Sequence, residues 1–372
     1  MERIKVSKSI VGEREAQALK SVIEDEYLGM GKYVREFEIK LGQYLDAQNV
    51  MCVNSGTAAL HLAVMGAGIG PGDEVLIQSL TYVASFQAIS AAGAVPVPCE
   101  IDPGTCTIDL KDAERKITGR TKAIMPVHYT GRVGPLDEIY SLARRYGLTV
   151  IEDAAHAFGT VYKGKMIGSF GDIICFSFDG IKNITSGEGG AVVTANPQVA
   201  RFIKDARLVG VCKDTEKRYQ GQRSWEFDVI HQGYRYHMSN LFAAIGITQL
   251  ERLESEFKPK RQYLARRYTE FLKDIPEIIV FPDEYDLVVP HIFPLRVRNN
   301  KRDNMREYLN SNGIECGVHY LPNHLLTFYG GKKGQLPVTE EIYKQLLTIP
   351  LHPGLSDEMQ NYIIEKIKDF FA

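Results

Sequence analysis

Seven short apolar runs, several of them separated by longer amphipathic stretches, constrain this chain to a layered fold of strands and helices. The runs are NVMCVN (49–54), DEVLIQS (73–79), VPVPCEI (95–101), KAIMPVH (122–128), LTVIED (148–153), DIICFSF (172–178) and GAVVTA (190–195). Helix-patterned segments such as TAALHLAVMGA (57–67) and PLDEIYSLARRYG (135–147) lie between them. Parallel strands need long crossover connections, so this alternation predicts an α/β domain with a largely parallel sheet. In such sheets ligands bind beyond the carboxyl ends of the strands, which makes the residues just after each run the ones to inspect.

The texture changes near residue 240. Residues 239–275 read as long helical material with a break near Lys258-Pro259. After them come shorter strand candidates, HIFPLRV (291–297) and CGVHYL (316–321), and amphipathic helices at 302–313 and 357–372. The 372 residues therefore divide into a larger α/β domain, 1–250, and a smaller α+β domain, 251–372. The GGKKG stretch (330–334) reads as a flexible, charged surface turn.

Charge excludes some partners. With 44 Lys and Arg against 46 Asp and Glu, nothing draws the chain to nucleic acid or to an anionic membrane. The six cysteines are scattered without a C-x-x-C or a histidine pair at ligand spacing, so reduced thiols are expected and no metal site. The opening MERIKVSKSIVGERE is charged throughout, unlike a signal peptide, and no run approaches the roughly 20 apolar residues of a membrane helix. The expected location is the cytoplasm.

Three strand ends carry candidate chemistry. In NSGTAAL (54–60) a strand gives way to a helix whose unpaired N–H groups, flanked by Ser55, Gly56 and Thr57, suit either a phosphate or an ordinary helix cap. In LTVIEDAAHAFG (148–159) the acids Glu152 and Asp153 end a buried run; such a carboxylate needs a cationic partner, unless it is an ordinary N-cap. In DIICFSFDGIKNITSGEGGAVVTA (172–195) Ser177 ends a strand and Lys182 sits in the loop after it. A lone lysine there is ordinarily a solvated charge. Together, phosphate donors, a buried acid facing a protonated pyridine nitrogen, and a lysine are the parts of a pyridoxal phosphate site.

The ordered motifs NSGTAAL, SLTYVAS, VIEDAAHAFG, FSFDGIKNITSGEGG, GYRYHMSN, GVHYLP and IPLHPGL closely resemble the sugar aminotransferases of the DegT/DnrJ/EryC1/StrS family, over essentially the whole chain. The resemblance implies an aspartate aminotransferase type I fold, with a mixed, mostly parallel sheet in the large domain. It further implies bound pyridoxal 5'-phosphate, a homodimer with shared active sites, and amino transfer from L-glutamate to a keto sugar linked to a nucleotide. By motif, Lys182 would form the Schiff base and shuttle protons, Asp153 would pair with the pyridine nitrogen, and His156 would lie near the ring phenolate. Gly56, Thr57 and Ser177 would hold the phosphate, and Tyr82 would stack on the ring. His319 and Tyr320 would lie beside the sugar.

One motif departs from the family. GYRYHMSN has Arg235 where many members have the asparagine that reaches the neighbouring subunit's cofactor phosphate, and His237 where an arginine usually stands. The phosphate role passes to Arg235, and His237 has none assigned. Glu188 recurs in family motifs but reads equally as a turn residue. A related sugar dehydratase would carry histidine in place of Lys182. A regulatory protein that only binds the cofactor would not need every contact to be present. No G-x-G-x-x-G follows the first strand, as a nucleotide-binding dehydrogenase would require.

Overall fold

In the computed structural model, which describes residues 3–372, each of the seven apolar runs becomes a strand of one sheet. In chain order the strands are β1 (Val50–Val53), β2 (Glu74–Gln78), β3 (Val95–Cys99), β4 (Thr121–Met125), β5 (Thr149–Asp153), the short hairpin β6 (Val161–Tyr162) and β7 (Lys165–Met166), β8 (Ile173–Ser177) and β9 (Gly190–Val193). The large sheet has the order β1-β9-β8-β5-β4-β2-β3. Its strands run parallel except β9, which is antiparallel to both β1 and β8. The carboxyl ends of β1, β2, β4, β5 and β8 therefore share one edge.

Both faces of this sheet are covered, which is why its strands read as continuous apolar runs rather than alternating ones. Side chains still alternate. Val50 and Cys52 join one core with helices Lys32–Leu45, Leu136–Tyr146 and Asn240–Arg252, while Met51 and Val53 join another with helices Gly56–Gly66, Val83–Ala91 and Pro197–Ala206. The same period separates two neighbouring acids of β5. Glu152 points into the first layer, where His128 Nε2 (2.7 Å) and the Tyr140 hydroxyl (2.6 Å) bind it, and Asp153 points to the other face.

A second, three-stranded antiparallel sheet comprises β10 (Ile278–Ile279), β11 (Phe293–Val297) and β12 (Leu346–Ile349). Leu264, Tyr268, Met305, Leu309, Ile363 and Ile367 pack on it from three helices, making a separate core. The long helical stretch is interrupted where expected: a π-helical turn at Leu253–Phe257 precedes the helix Lys258–Leu272, and Pro259 lies in its first turn, where a missing N–H costs nothing. CGVHYL is not a strand. Gly317 exchanges two hydrogen bonds with Thr348, and the Tyr129 hydroxyl then takes the His319 carbonyl that a strand would have paired. His324, just after this segment, is buried between Ser79 Oγ (2.8 Å) and Glu340 (3.1 Å). No helix among the described residues is long and apolar enough to cross a membrane.

Candidate active site

A cavity of about 450 Å³ opens at the shared carboxyl edge of the large sheet. Every residue that the sequence assigned to the site lines it except Arg235.

At one end lies the start of helix Gly56–Gly66. Ser55 caps it, its Oγ accepting the Ala58 N–H at 3.0 Å. Gly56 is packed so tightly that an added Cβ would lie 2.8 Å from Cβ of Ser177, which brings the helix N-terminus against the end of β8. Free N–H groups with two hydroxyls, Thr57 and Ser177, around a glycine too crowded for a side chain make a cradle of the right chemistry for a phosphate. The capping and phosphate readings of this motif are compatible, since Ser55 caps and its neighbours line the cavity.

Asp153 faces the middle of the cavity from the end of β5. Its carboxylate accepts the Ser85 hydroxyl at 2.6 Å and the Ala155 N–H at 3.1 Å. Those partners are neutral, so the buried charge still has room for a cationic one, which a protonated pyridine nitrogen supplies. Beside it, the Thr130 N–H points at His156 Nδ1 (3.4 Å), which leaves the ring proton on Nε2, 3.3 Å from the Tyr320 hydroxyl. Burial, then the charges of Lys182 and His319, holds His156 well below the usual imidazole range. It is a neutral donor suited to a phenolate oxygen.

Lys182 enters from the loop after β8, which turns back through a hydrogen bond from its own N–H to the Asp179 carbonyl (3.1 Å). Its Nζ lies 3.4 Å from Nε2 of His291. Burial pulls the amine down to about 8 against the opposing pull of Asp179 and Asp153, with Arg261 adding to the depression. A lysine so placed spends an appreciable fraction of its time as a neutral nucleophile near neutral pH.

The mouth is aromatic and acidic. Tyr82 precedes helix Val83–Ala91 with 58% of its surface exposed, its ring centroid 5.6 Å from that of Tyr320. His319 bonds Thr348 Oγ1 at 2.8 Å, and burial lowers its imidazole to about 4. Glu188 lines the same mouth, its carboxyl raised by burial and then by Asp179. Among the described residues, Lys182 is the one Lys or Arg lining this cavity, against Asp153, Asp179 and Glu188.

Arg235 is elsewhere. Its carbonyl meets Asn54 Nδ2 at 3.3 Å, just below the phosphate end, but its side chain is exposed and outside this chain's cavity. His237 is half-buried, lowered to about 4 by burial and by nearby arginines, Arg235 first. Sequence reasoning missed Ser85, Asp179, Arg261 and His291. Ser85 and Asp179 stand inside the motifs SLTYVAS and FSFDGIKNITSGEGG, where nothing marked them out, and the other two are brought in by folding.

The family model of the DegT/DnrJ/EryC1/StrS aminotransferases matches residues 9–368. The chain is 36% identical over 370 residues to the spore coat polysaccharide biosynthesis protein SpsC of Bacillus subtilis, covering 97% of this chain and 95% of that one. Among solved structures, it is similar to the PLP form of the putative sugar aminotransferase Spr1654 from Streptococcus pneumoniae, with a TM-score of 0.91, 30% identity, and 99% and 98% of the two chains covered. It is likewise similar to DesV of S. venezuelae, solved with a ketimine intermediate, with a TM-score of 0.89, 32% identity, and 100% and 99% covered.

Proposed function

Because the chain belongs to the DegT/DnrJ/EryC1/StrS aminotransferase family, and so is a pyridoxal-phosphate-dependent sugar aminotransferase, we propose that it moves the amino group of L-glutamate to the keto group of a nucleotide-linked sugar, with Lys182 as the residue that binds the cofactor covalently. The observation that carries this reading is the position of Lys182, half-buried and lining one cavity with Asp153 and with the Gly56–Ser177 cradle.

The cofactor, when bound, supplies an electron sink for the carbon that loses its proton. The chain's residues do the rest. Gly56, Thr57 and Ser177 would grip the phosphate, Asp153 would keep the ring nitrogen protonated, and His156 would donate Nε2–H toward the phenolate oxygen. Tyr82 would cover the ring face. Lys182 would hold the cofactor covalently, and its Nζ, once free, would take the donor's α-proton and return a proton in the reverse half of the cycle. His319 and Tyr320 border the space left for the sugar.

The homodimer belongs to the same proposal. A phosphate and an acidic donor need more positive charge than one lysine among three carboxylates supplies. Arg235, exposed beside Asn54, is the residue we assign to the partner's cofactor phosphate. Support comes from the segment just before it, where Trp225 is 91% exposed and Phe227 and Ile230 are also solvent-facing, an apolar set that a second copy would cover. The cytoplasm remains the proposed location.

The test is turnover. With L-glutamate, 2-oxoglutarate should accumulate beyond the single equivalent of the first half-reaction only when a keto sugar is supplied, and fastest with a nucleotide-linked one. Equal turnover with simple keto acids and none with sugars would overturn the substrate assignment.

A further inference from the structure

His291 lies just before β11, far along the chain from Lys182, yet its Nε2 is 3.4 Å from the lysine amine. It is held from three sides. Its N–H donates to the Thr130 carbonyl at 3.0 Å, its own carbonyl accepts from Arg261 Nη1 at 3.0 Å, and its ring lies 4.4 Å from that of His156. Arg261 also reaches toward the Lys182 carbonyl (3.5 Å), so one buried guanidinium fixes the backbones of both residues. Among the described residues, Nδ1 of His291 is buried without a protein partner. The ring is thus placed by its backbone and its neighbours, with its one partnered nitrogen directed at the lysine.

Resting on the reading of Lys182 as the amine that carries the proton, we propose that His291 is a positioning residue, whose Nε2 accepts an N–H from the Lys182 ammonium while that group holds the substrate's proton. In that step the neutral amine forms a new N–H bond as the substrate C–H bond breaks, the C–H electron pair stays with carbon, and Nζ becomes positively charged. Buried ammonium groups are costly unless their protons find acceptors. Around the pair stand Asp153, Asp179, Arg261 and the imidazoles of His156 and His319. Burial and the adjacent cations keep His291 itself uncharged, so it can accept but does not compete for the proton. With the proton of its ring on Nδ1, the Nε2 lone pair faces the lysine and leaves the amine's own lone pair free for the cavity.

An acceptor favours the ammonium over the amine, so removing it lowers the pH at which Lys182 titrates. His291→Phe keeps a ring against His156 and removes both nitrogens; His291→Gln keeps an acceptor near the Nε2 position. The readout is the rate at which the visible band grows when apoenzyme is mixed with pyridoxal phosphate, measured against pH. His291→Phe should shift the midpoint down by about one pH unit, the scale of one charge-assisted hydrogen bond. The same variant should turn over roughly tenfold or more slowly, with KM little changed and a larger isotope effect from α-deuterated glutamate. His291→Gln should restore both. Faster cofactor capture at low pH together with slower turnover is a pairing that simple misfolding does not give. An unshifted midpoint in His291→Phe, or a glutamine variant as impaired as the phenylalanine one, overturns the proposal; His291→Leu takes the place of phenylalanine if that variant does not fold. Failure of the wild-type protein to form a band that Lys182→Ala lacks would instead remove the underlying assignment of Lys182.

Discussion

The Ser85 hydroxyl donates to Oδ2 of Asp153 at 2.6 Å, tying the first turn of helix Val83–Ala91 to the end of β5. Hydrogen bonds to an ionised acceptor contribute about 1.5–3 kcal/mol. Ser85→Ala should therefore loosen pyridoxal phosphate roughly tenfold or more, because the carboxylate we assign to the ring nitrogen loses both its orientation and part of its stabilisation. A fluorescence titration of the apoenzyme measures this, and an unchanged Kd would contradict the role of Asp153.

Gly56 tests the phosphate end. An added methyl would lie 2.8 Å from Ser177 Cβ, so Gly56→Ala must push the helix start away from β8. The affinity for pyridoxal phosphate should fall by about tenfold, on the scale of one or two lost charge-assisted hydrogen bonds, while binding of pyridoxal, which lacks the phosphate, stays nearly constant. Equal losses for the two ligands would mean that the cradle lies elsewhere.

Most of this site could be read from the chain because its parts stand at strand ends. Asp153 and Ser177 close their apolar runs, Gly56 and Lys182 sit a few residues beyond theirs, and the seven runs became the seven strands of the large sheet. Apolar patterning alone does not separate Glu152 from Asp153, and only the motif pointed to the latter; the alternation along β5 sends one to His128 and Tyr140 and the other into the cavity. Ser85 and His291 left no local signal of their contacts, since the first sits in an apolar helix and the second introduces a strand of the smaller sheet. What makes them part of the site is the packing of one layer on another. The segment 316–321 misled for a related reason: His319 and Tyr320 face the cavity, and the His319 carbonyl turns to Tyr129 rather than to a neighbouring strand.

Away from the cavity, Arg207 is fully buried and donates to Glu38 Oε1 and, at 2.7 Å, to the Cys52 carbonyl, while Glu38 accepts the Cys52 N–H at 2.7 Å. Breaking a buried pair on one side typically costs about 3–5 kcal/mol. Arg207→Ala should lose stability on that scale in urea denaturation. A loss below about 1 kcal/mol, the worth of a surface pair, would show that water reaches the site.

Arg235 makes a prediction about two chains at once. Arg235→Ala and Lys182→Ala should each be severely impaired alone. Mixed under conditions that exchange subunits, they should recover about a quarter of wild-type activity, because random pairing makes half of the dimers hybrids with one intact site each. No recovery, with exchange demonstrated, would place Arg235 outside the partner's site.

The central claim is that Lys182 holds the cofactor and receives the donor's proton, and an absorption spectrum tests it most directly. Purified protein with pyridoxal phosphate should show a visible band that bleaches when L-glutamate is added. Lys182→Ala should bind the cofactor without covalent attachment, lack that band and show no transamination. A band that persists in Lys182→Ala, or normal turnover by that variant, would contradict the assignment of Lys182 and the chemistry built on it.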